Sequence, residues 1–463
     1  MNKYRSEKDS IGTIKVSNQR MWGAQTQRSL ENFEIGDEKM PIELIKAFAI
    51  QKKASAISNV AIGKLEKKIG EKIIDACDRI INGELDDEFP LSVWQTGSGT
   101  QTNMNLNEVI ANYSNKSLGE KFGEYKKVHP NDHCNMGQSS NDSFPTAMHI
   151  SIVLETNKNL LKKIDNFIKI LEKKEKEFQN IIKVGRTHLQ DATPISVGQE
   201  FGTYVSQVKS AKKRVKDSLK ELMILAQGGT AVGTGLNTSK EFISGFIKAV
   251  QMITGLPFKE SHNKFESISS HEPILNFSGA LNTLIVACYK ICNDIRLLGS
   301  GPRSGIGELI LPSNEPGSSI MPGKINPTQC ESMSQVCIYL LGLQSSISIA
   351  CSQGHFQLNA NKTFLIFATL KTITLLSGSI KSFTNNCLEN IKVNKKKIDH
   401  NLENSLMLVT ALNPKLGYDK SAEIAKKAFK DDITLKQSAI ELGYLSEDEF
   451  DLIIDPKQMT KMS

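Results

Sequence analysis

The sequence is short of the features that would tie it to a metal, a nucleotide or a nucleic acid. Its eight cysteines (77, 134, 288, 292, 330, 337, 351 and 387) form no CxxC pair. Cys288 and Cys292 merely share one face of an apolar helix, so structural thiols in a reducing compartment are expected rather than a zinc site or an iron–sulfur cluster. TGSGTQTNMN (96–105) has the glycines of a phosphate loop without its Gly-Lys-Ser/Thr ending, and GIGELI lacks the third glycine of a dinucleotide fingerprint. An excess of one charge is missing too: 57 Lys and Arg against 50 Asp and Glu give +7 over 463 residues. Lys and Glu are interspersed along most helical stretches, which describes solvated faces and leaves a modest field favourable to small anions. No metal, no cofactor and no nucleic-acid partner is expected.

Targeting signals are equally scarce. No apolar core follows Met1, and MNKYRSEKDS carries Glu7 and Asp9, which disfavours both a secretory signal and an Arg-rich transit peptide. A cytoplasmic protein is the expectation. Apolar runs such as LNTLIVACYKICNDI are interrupted by Asn282, Lys290, Asn293 and Asp294, so they read as helices buried in protein and no membrane partner is expected. No repeat of 20 to 50 residues and no low-complexity segment is present. With 39% hydrophobic and 23% charged residues, the composition is that of a globular chain with an ample core.

What is present is helix. MPIELIKAFAIQKKASAI opens one with Pro41 near its first turn, and KLEKKIGEKIIDACDRIINGEL carries Ile69, Ile73, Ala76, Ile80 and Ile81 along one stripe before Gly83. Between Asp86 and Ser140 the periodicity fails, and Gly, Asn, Ser and His cluster as in loops that carry function. From Asp142 to about Phe178 apolar residues recur at helical spacing. Comparable runs cover Ile195 to Leu225, Pro273 to Leu298, Gln329 to Ala350 and Thr363 to Asn390; a 30-residue helix is roughly 45 Å long. After Val393, NKKKID leads to short helices around KSAEIAKKAFK and TLKQSAIELG, the latter closed by Gly443, and SEDEF supplies a capping-box opening. Strands are few: the polar start, LSVW before Gln95, and a hairpin near Leu309. The expected fold is all-α, with a mostly helical N-terminal domain (1–140), a central long-helix bundle (141–394) and a small helical C-terminal domain (395–463).

Four polar clusters interrupt the helices: TGSGTQTNMN (96–105), HPNDHCNMGQSSND (129–142), GRTHLQDATP (185–194) and GSSIMPGKINPTQCE (317–331). Each is expected at a helix end or in a loop. Hydroxyls, amides, imidazoles and one lysine are what a site needs to hold carboxylates and move protons without a metal. Ser98 and Thr100, beside glycines, would let backbone amides approach an anion closely, an N-cap and turn being the plainer reading. His188 follows Arg186 in a loop that Pro194 closes, and a lone loop histidine is usually inert. Glu331 begins a helix, where the macrodipole already favours a carboxylate; pairing with His188 would raise the imidazole's basicity and fix its tautomer. The sequence leaves that contact open.

Together the clusters resemble one family, the fumarase/aspartase superfamily, and within it the class II, iron-independent fumarate hydratases. GSSIMPGKINPTQCE is similar to the signature loop GSSxMPxKxN. WGAQTQRSLENF, GSGTQTNMNLNEVIAN, HPND, QSSNDSFPTAMHI, GRTHLQDATP, GTGLNTS and NPKLGYDKSAEIAKKA resemble family segments in the family order. The resemblance implies a three-domain fold whose long helices form a twenty-helix core in a homotetramer, with sites shared between subunits. It implies reversible, stereospecific hydration of fumarate to L-malate, a tricarboxylic acid cycle step, through a stabilised carbanion and without a cofactor.

The resemblance also distributes roles. Ser318 looks like the base, on a loop made pliable by Gly317 and Gly323; Lys324 and Asn326, with Ile325 between them, resemble the residues that neutralise the carbanion. His188, oriented by Glu331, resembles the group that handles the water. Ser98, Gly99, Thr100, Ser139, Ser140, Asn141, Thr187 and Ser319 look like the grip on the two carboxylates. Lys126, His129, Pro130, Asn131 and Asp132 resemble a second anion site, with Lys126 where arginine is usual in some members. LNANKTFLIF (358–367) departs from the family, which more often shows an aromatic before the lysine and a proline after it. Two rivals remain: an aspartate ammonia-lyase of the same superfamily, against which Thr193 and Thr328-Gln329-Cys330 speak, and a non-catalytic recruit of the kind found as lens crystallins, against which the intact site positions speak.

Overall fold

A computed structural model describes residues 3–461. The polar start pairs Tyr4–Lys8 (β1) with Thr13–Ser17 (β2) as an antiparallel hairpin. Helices Ala24–Asn32 (α1), Ile42–Ala61 (α2) and Lys67–Ile81 (α3) follow. Pro41 stands at the N-cap of α2, where a missing N–H removes no helical bond. Ile73, Ala76 and Ile80 turn the apolar stripe of α3 inward.

The stretch from 86 to 140 that reads as loop contains a helix, Thr100–Ser117 (α4). Its apolar periodicity fails because it is buried nearly all round and part of what it buries is amide. Asn103, Asn105, Asn107, Asn112 and Asn115 are all buried, and their amides donate to Ser140, Glu88, Asn135, Met21 and Val128. Hydrogen bonding offsets the cost of burying them, which an apolar pattern cannot register. LSVW, read as a strand, supplies only one bridge, Ser92 to Lys39.

Ser140–Glu155 (α5) continues through a π-helical turn, Thr156–Leu160, into Leu161–Glu177 (α6). The run from Asp142 is therefore helical throughout, with one register step the pattern does not reveal. Ile182–Thr187 (β3) and Gln190–Ser196 (β4) then form an antiparallel hairpin where a loop was expected. Val197–Leu222 (α7) leads to Ile224–Leu225 (β5), Lys240–Thr254 (α8), Lys259–Glu260 (β6), which pairs with β5, and Lys264–Ser269 (α9). Glu272–Leu298 (α10), Leu309–Ile310 (β7), Thr328–Ser352 (α11) and Lys362–Asn386 (α12) come next. β7 pairs with the distant Lys392–Val393 (β8), not with a neighbour in a hairpin. Short helices end the chain: Lys395–Glu403 (α13), Asn413–Leu416 (α14), Tyr418–Asp431 (α15), Leu435–Glu441 (α16) and Glu447–Ile453 (α17), the last opened by the Ser446/Glu449 capping box.

The chain folds as two compact units, Met1–Lys162 with Lys212–Ile285 and Ile338–Ser377, and Lys163–Ala211 with Val286–Cys337 and Gly378–Ser463. In the first, α2 packs against α3, α5 and α8, with Phe48 and Phe144 meeting edge-on at 5.9 Å. In the second, Phe167 of α6 meets Phe383 of α12 at 6.3 Å, Tyr204 of α7 bonds Asp294 of α10, and Ser382 of α12 bonds Gln329 of α11. The C-terminal helices add a small core of their own, including Leu412, Ile424, Ala428, Ala439 and Phe450.

Helices α10, α11 and α12 are each long and apolar enough to cross a membrane by length and composition. The expectation that polar interruptions keep these runs below that length is corrected. Asn282, Lys290, Asn293 and Asp294 are too few to change the average of a 27-residue helix. In α11 the apolar surface is largely uncovered: Ile338, Tyr339 and Ile349 are 56%, 51% and 64% exposed.

Candidate active site

Two helix N-termini in the first unit carry the expected grip. Gly99 is the N-cap of α4 at φ +80°, and a Cβ there would lie 2.2 Å from the Phe144 ring, so glycine is required on both counts. Beside it, Ser98 Oγ and Thr100 Oγ1 are 2.9 Å apart. Lys362 N donates to Gly97 O at 2.9 Å, which places the departing segment 358–367 directly against this loop. Ser139 caps α5 in a capping box with Asp142, whose Oδ1 accepts from Ser139 N at 2.9 Å. Asp142 Oδ2 accepts from Gln227, Gly228 and Thr230; burial nevertheless raises its carboxyl above the ordinary value. Asn141 Nδ2 donates to Ala231 O at 2.8 Å, and Asn103 Nδ2 donates to Ser140 Oγ at 3.0 Å. A cavity of about 460 Å³ is lined by Asn103, Asn135, Gln138, Ser139, Ser140 and Thr230, among others. Helix N-termini that carry hydroxyls suit a carboxylate.

Of the residues expected to form a second anion site, Pro130, Asn131 and Asp132 lie in a π-helical turn, Pro130–Cys134, capped by His129. His129 Nδ1 accepts from the amides of Asn131 and Asp132 at 3.3 and 3.2 Å. Lys126 is exposed, with its Nζ 3.0 Å from Glu124 and 3.8 Å from Glu120.

In the second unit, Thr187 ends β3 and His188 with Leu189 makes the two-residue tip of the hairpin, at φ +57° and +61°. Such tips favour Asn-Gly; side chains as large as His and Leu in the left-handed region are strained and point to a function for the tip. A bulge between Val184 and Arg186 surrounds Gly185, where a Cβ would lie 2.4 Å from Thr193 O. Below the tip, buried Glu308 accepts from Arg186 at 2.7 and 3.1 Å and from Asn401 at 3.2 Å, and pairs with Lys183 at 2.9 Å. Burial would raise the Glu308 carboxyl, but Arg186 and Lys183 outweigh it and hold it below the ordinary value. Sequence reasoning passed over Glu308 and Lys183; the available signal was a charge in or next to a short strand beside apolar residues.

The signature loop shows why it needs its glycine. Gly317 N donates to Lys324 O at 2.9 Å, Asn326 Nδ2 donates to Gly317 O at 2.6 Å, and a Cβ on Gly317 would lie 2.3 Å from Lys324 O. Ser318 Oγ accepts from the amides of Ile320 and Met321 at 3.2 and 3.0 Å. Two N–H dipoles on one hydroxyl oxygen favour its alkoxide. Ser319, Lys324 and Ile325 are exposed, and a cavity of about 480 Å³ is lined by the loop from Ser313 to Ile325. Glu331 lies in the first turn of α11. Among the described residues, the side chains of His188, Lys324 and Glu331 have no hydrogen-bond or ion-pair partner, so one chain does not join His188 to Glu331. Of the expected grip residues, Ser98 to Thr100 and Ser139 to Asn141 belong to one compact unit, and Thr187, with His188, and the signature loop, Ser319 included, belong to the other. Among the described residues no group of three or more His, Cys, Asp or Glu is placed to hold a metal ion.

The family described as Lyase matches residues 12–342, and that described as Fumarase C C-terminus matches residues 408–461. The chain is 54% identical over 459 residues to fumarate hydratase class II of Rickettsia felis, covering 99% of this chain and 100% of the relative. It is 53% identical over 457 residues to fumarate hydratase class II 2 of Bradyrhizobium diazoefficiens, covering 99% and 97%. Among solved structures, the recombinant class II fumarase of Schistosoma mansoni superposes with a TM-score of 0.97 at 43% identity, over 99% of each chain.

Proposed function

The chain belongs to the class II fumarate hydratases, it catalyses the reversible hydration of fumarate to L-malate in the tricarboxylic acid cycle, and we propose that Ser318 is its base. The observation that carries this role is the pair of backbone amides converging on Ser318 Oγ. A serine hydroxyl is a weak base; two N–H donors and the Lys324 ammonium lower the cost of its alkoxide, and loop closure that expels water strengthens both. Abstraction of the C3 proton of L-malate leaves a dianionic, nitronate-like carboxylate. Lys324 and the Asn326 amide meet charge that exists only after the proton leaves, so they act on turnover. His188, steadied by Glu331, serves the opposite proton transfer at the departing or arriving water. Ser98, Thr100, Ser139, Ser140, Asn141, Thr187 and Ser319 hold the carboxylates. The His129–Asp132 turn is the second anion site, weakened by the engagement of Lys126 with Glu124.

We infer too that the active site is completed between copies in a homotetramer. His188 and Glu331, unpaired among the described residues, support this, as does the exposed stripe Ser332, Gln335, Tyr339, Gly342, Ser345, Ile349 and Ser352 on α11, whose members recur three and four residues apart. That is the spacing of a helix seam, and its small residues permit close approach. Gln335 and the serines on the same stripe favour a protein partner over lipid. Eight free thiols, seven of them buried, suit the cytoplasm.

Fumarate decay, followed by absorbance with water alone, with added ammonia and after chelator treatment, tests the assignment. L-Malate formation insensitive to chelator is expected; an absolute need for ammonia would identify a lyase of amino acids instead.

A further inference from the structure

One buried cation in the first unit has no ion-pair partner among the described residues. Lys52, in α2, is 1% exposed, and among the described residues no carboxylate lies within ion-pairing distance of it. Its Nζ donates to Asn135 Oδ1 at 3.0 Å and Gln138 Oε1 at 2.9 Å, and stands 5.4 Å from the centroid of the Phe48 ring. Two neutral acceptors and a ring face return less than an ammonium loses on leaving water. Such a charge is retained where something charged arrives.

Both acceptors belong to the turn immediately before Ser139. Asn135 Oδ1 also accepts from Asn103 and Asn107 of α4 at 3.2 Å each, and Asn103 donates onward to Ser140 Oγ. Gln51, the neighbour of Lys52, donates to Gln138 Oε1 at 3.0 Å. Asn103, Asn135 and Gln138 are also walls of the cavity that Ser139 and Ser140 line. Lys52 thus stands one side chain behind the N-terminus of α5.

The titratable groups facing it are Cys134 of the π-helical turn, Asp142 of α5 and Cys77 of α3. Burial raises both thiols, Cys134 to about 12 and Cys77 further, so neither supplies a negative charge. Asp142 accepts from the amides of Ser139, Gly228 and Thr230 and forms no ion pair with Lys52, so its negative field offsets the burial of the ammonium only in part. From α4 come only the amides of Asn103 and Asn107, and α8, also packed on α2, places no charged atom in reach of Lys52. Burial brings Lys52 itself down to about 7.

We propose that Lys52 is a positioning residue for substrate binding: its buried ammonium fixes the Asn135–Gln138 turn and, through Asn103, the Ser140 hydroxyl, and the arriving dianion completes its charge. This rests on the reading of Ser139, Ser140 and Asn141 as a carboxylate grip. A dianion bound at α5 favours the protonated lysine, so binding takes up a proton wherever free Lys52 is neutral. Affinity therefore falls as pH rises above about 7 and is flat with respect to Lys52 well below it.

The probe is succinate, an unreactive dicarboxylate, used as a competitive inhibitor of the tetramer between about pH 6 and 9, with calorimetry in two buffers of different ionisation enthalpy. Lys52→Met is expected to raise the succinate inhibition constant and the KM for L-malate about tenfold or more while kcat stays within about threefold, and to abolish proton uptake at alkaline pH. Lys52→Gln, which keeps a donor, is expected to recover part of the affinity but not the proton uptake. A folded Lys52→Met enzyme with wild-type inhibition constant, KM and proton uptake overturns the inference. If neither variant folds, wild-type binding without proton uptake above about pH 7 overturns it. Ser139→Ala and Asn141→Ala separate the two layers: if they too leave KM unchanged, the carboxylate grip itself is wrong, whereas raised KM there beside an unaffected Lys52→Met enzyme defeats only the role of Lys52.

Discussion

Arg186 and Glu308 form a two-pronged pair, Nη2 to Oε1 at 2.7 Å and Nη1 to Oε2 at 3.1 Å, two residues before the strained tip that carries His188. The backbone of Glu308 is tied as well, its N–H to Leu298 O and its carbonyl to Asn394 N–H, both at 2.9 Å. A fixed carboxylate thus anchors the hairpin from below. Glu308→Gln would leave Arg186 facing a neutral amide while Lys183 keeps Glu200 at 2.9 and 3.0 Å, and a loss of roughly 2–3 kcal/mol is expected in a denaturant titration. Arg186→Lys keeps the charge and loses the fork, so a smaller loss with lowered kcat is expected. Because Glu308 sits below its ordinary value, the pair's contribution is complete above the unfolded value of about 4.3 and disappears as pH falls through the folded one. Acid unfolding of Glu308→Gln shifted no further than that of a surface variant would count against the anchor.

With Ser318 proposed as the base, Ser318→Ala is expected to lower kcat by several orders of magnitude with little change in KM, the outcome for an oxygen that acts in the transition state. Near-normal turnover would remove Ser318 from the mechanism. Gly317→Ala tests the loop that presents it: the new Cβ would lie 2.3 Å from Lys324 O, so the turn that positions Lys324 must open. A drop of roughly a hundredfold or more in kcat is expected, without global unfolding.

His188→Asn is expected to be about as damaging as Ser318→Ala, and Glu331→Gln damaging but less so, because the imidazole remains and only its orientation is lost. The ratio of kcat values decides the assignment; a Glu331→Gln enzyme slower than His188→Asn would reverse the two roles.

How legible these groups were in the sequence follows from the kind of force that places them. Helices held by apolar stripes, such as α3 or the run from Asp142, could be read from spacing alone. α4 could not, since its buried faces include the amides of Asn103, Asn107 and Asn112 rather than a clean apolar stripe. The hairpin at His188 was hidden for a related reason: its tip uses His and Leu where turn chemistry leads one to expect Asn and Gly. Polar clusters marked the N-termini of α4 and α5 and the signature loop, because hydroxyls and glycines are rarely packed together without cause. Lys52 and Glu308 stayed invisible, each being one charge in an ordinary helical or short apolar context whose partners come from distant segments.

Assembly gives the widest test, because His188 and Glu331 lack side-chain partners among the described residues and α11 leaves Ile338, Tyr339 and Ile349 uncovered. If the active site draws its clusters from different copies, a variant dead at the grip and one dead at the signature loop should rescue each other. Ser98→Ala/Thr100→Ala and Ser318→Ala enzymes, each inactive alone, are expected to regain partial activity when unfolded and refolded together. In a mixed tetramer some sites receive an intact grip from one parent and an intact Ser318 from the other; in a tetramer of independent sites none does. Recovery should follow the mixing ratio and vanish when either parent is in large excess. Tetramers shown by mass to be mixed, yet no more active than either parent, would mean that each site is built within a single chain and that the seam on α11 joins copies without sharing chemistry.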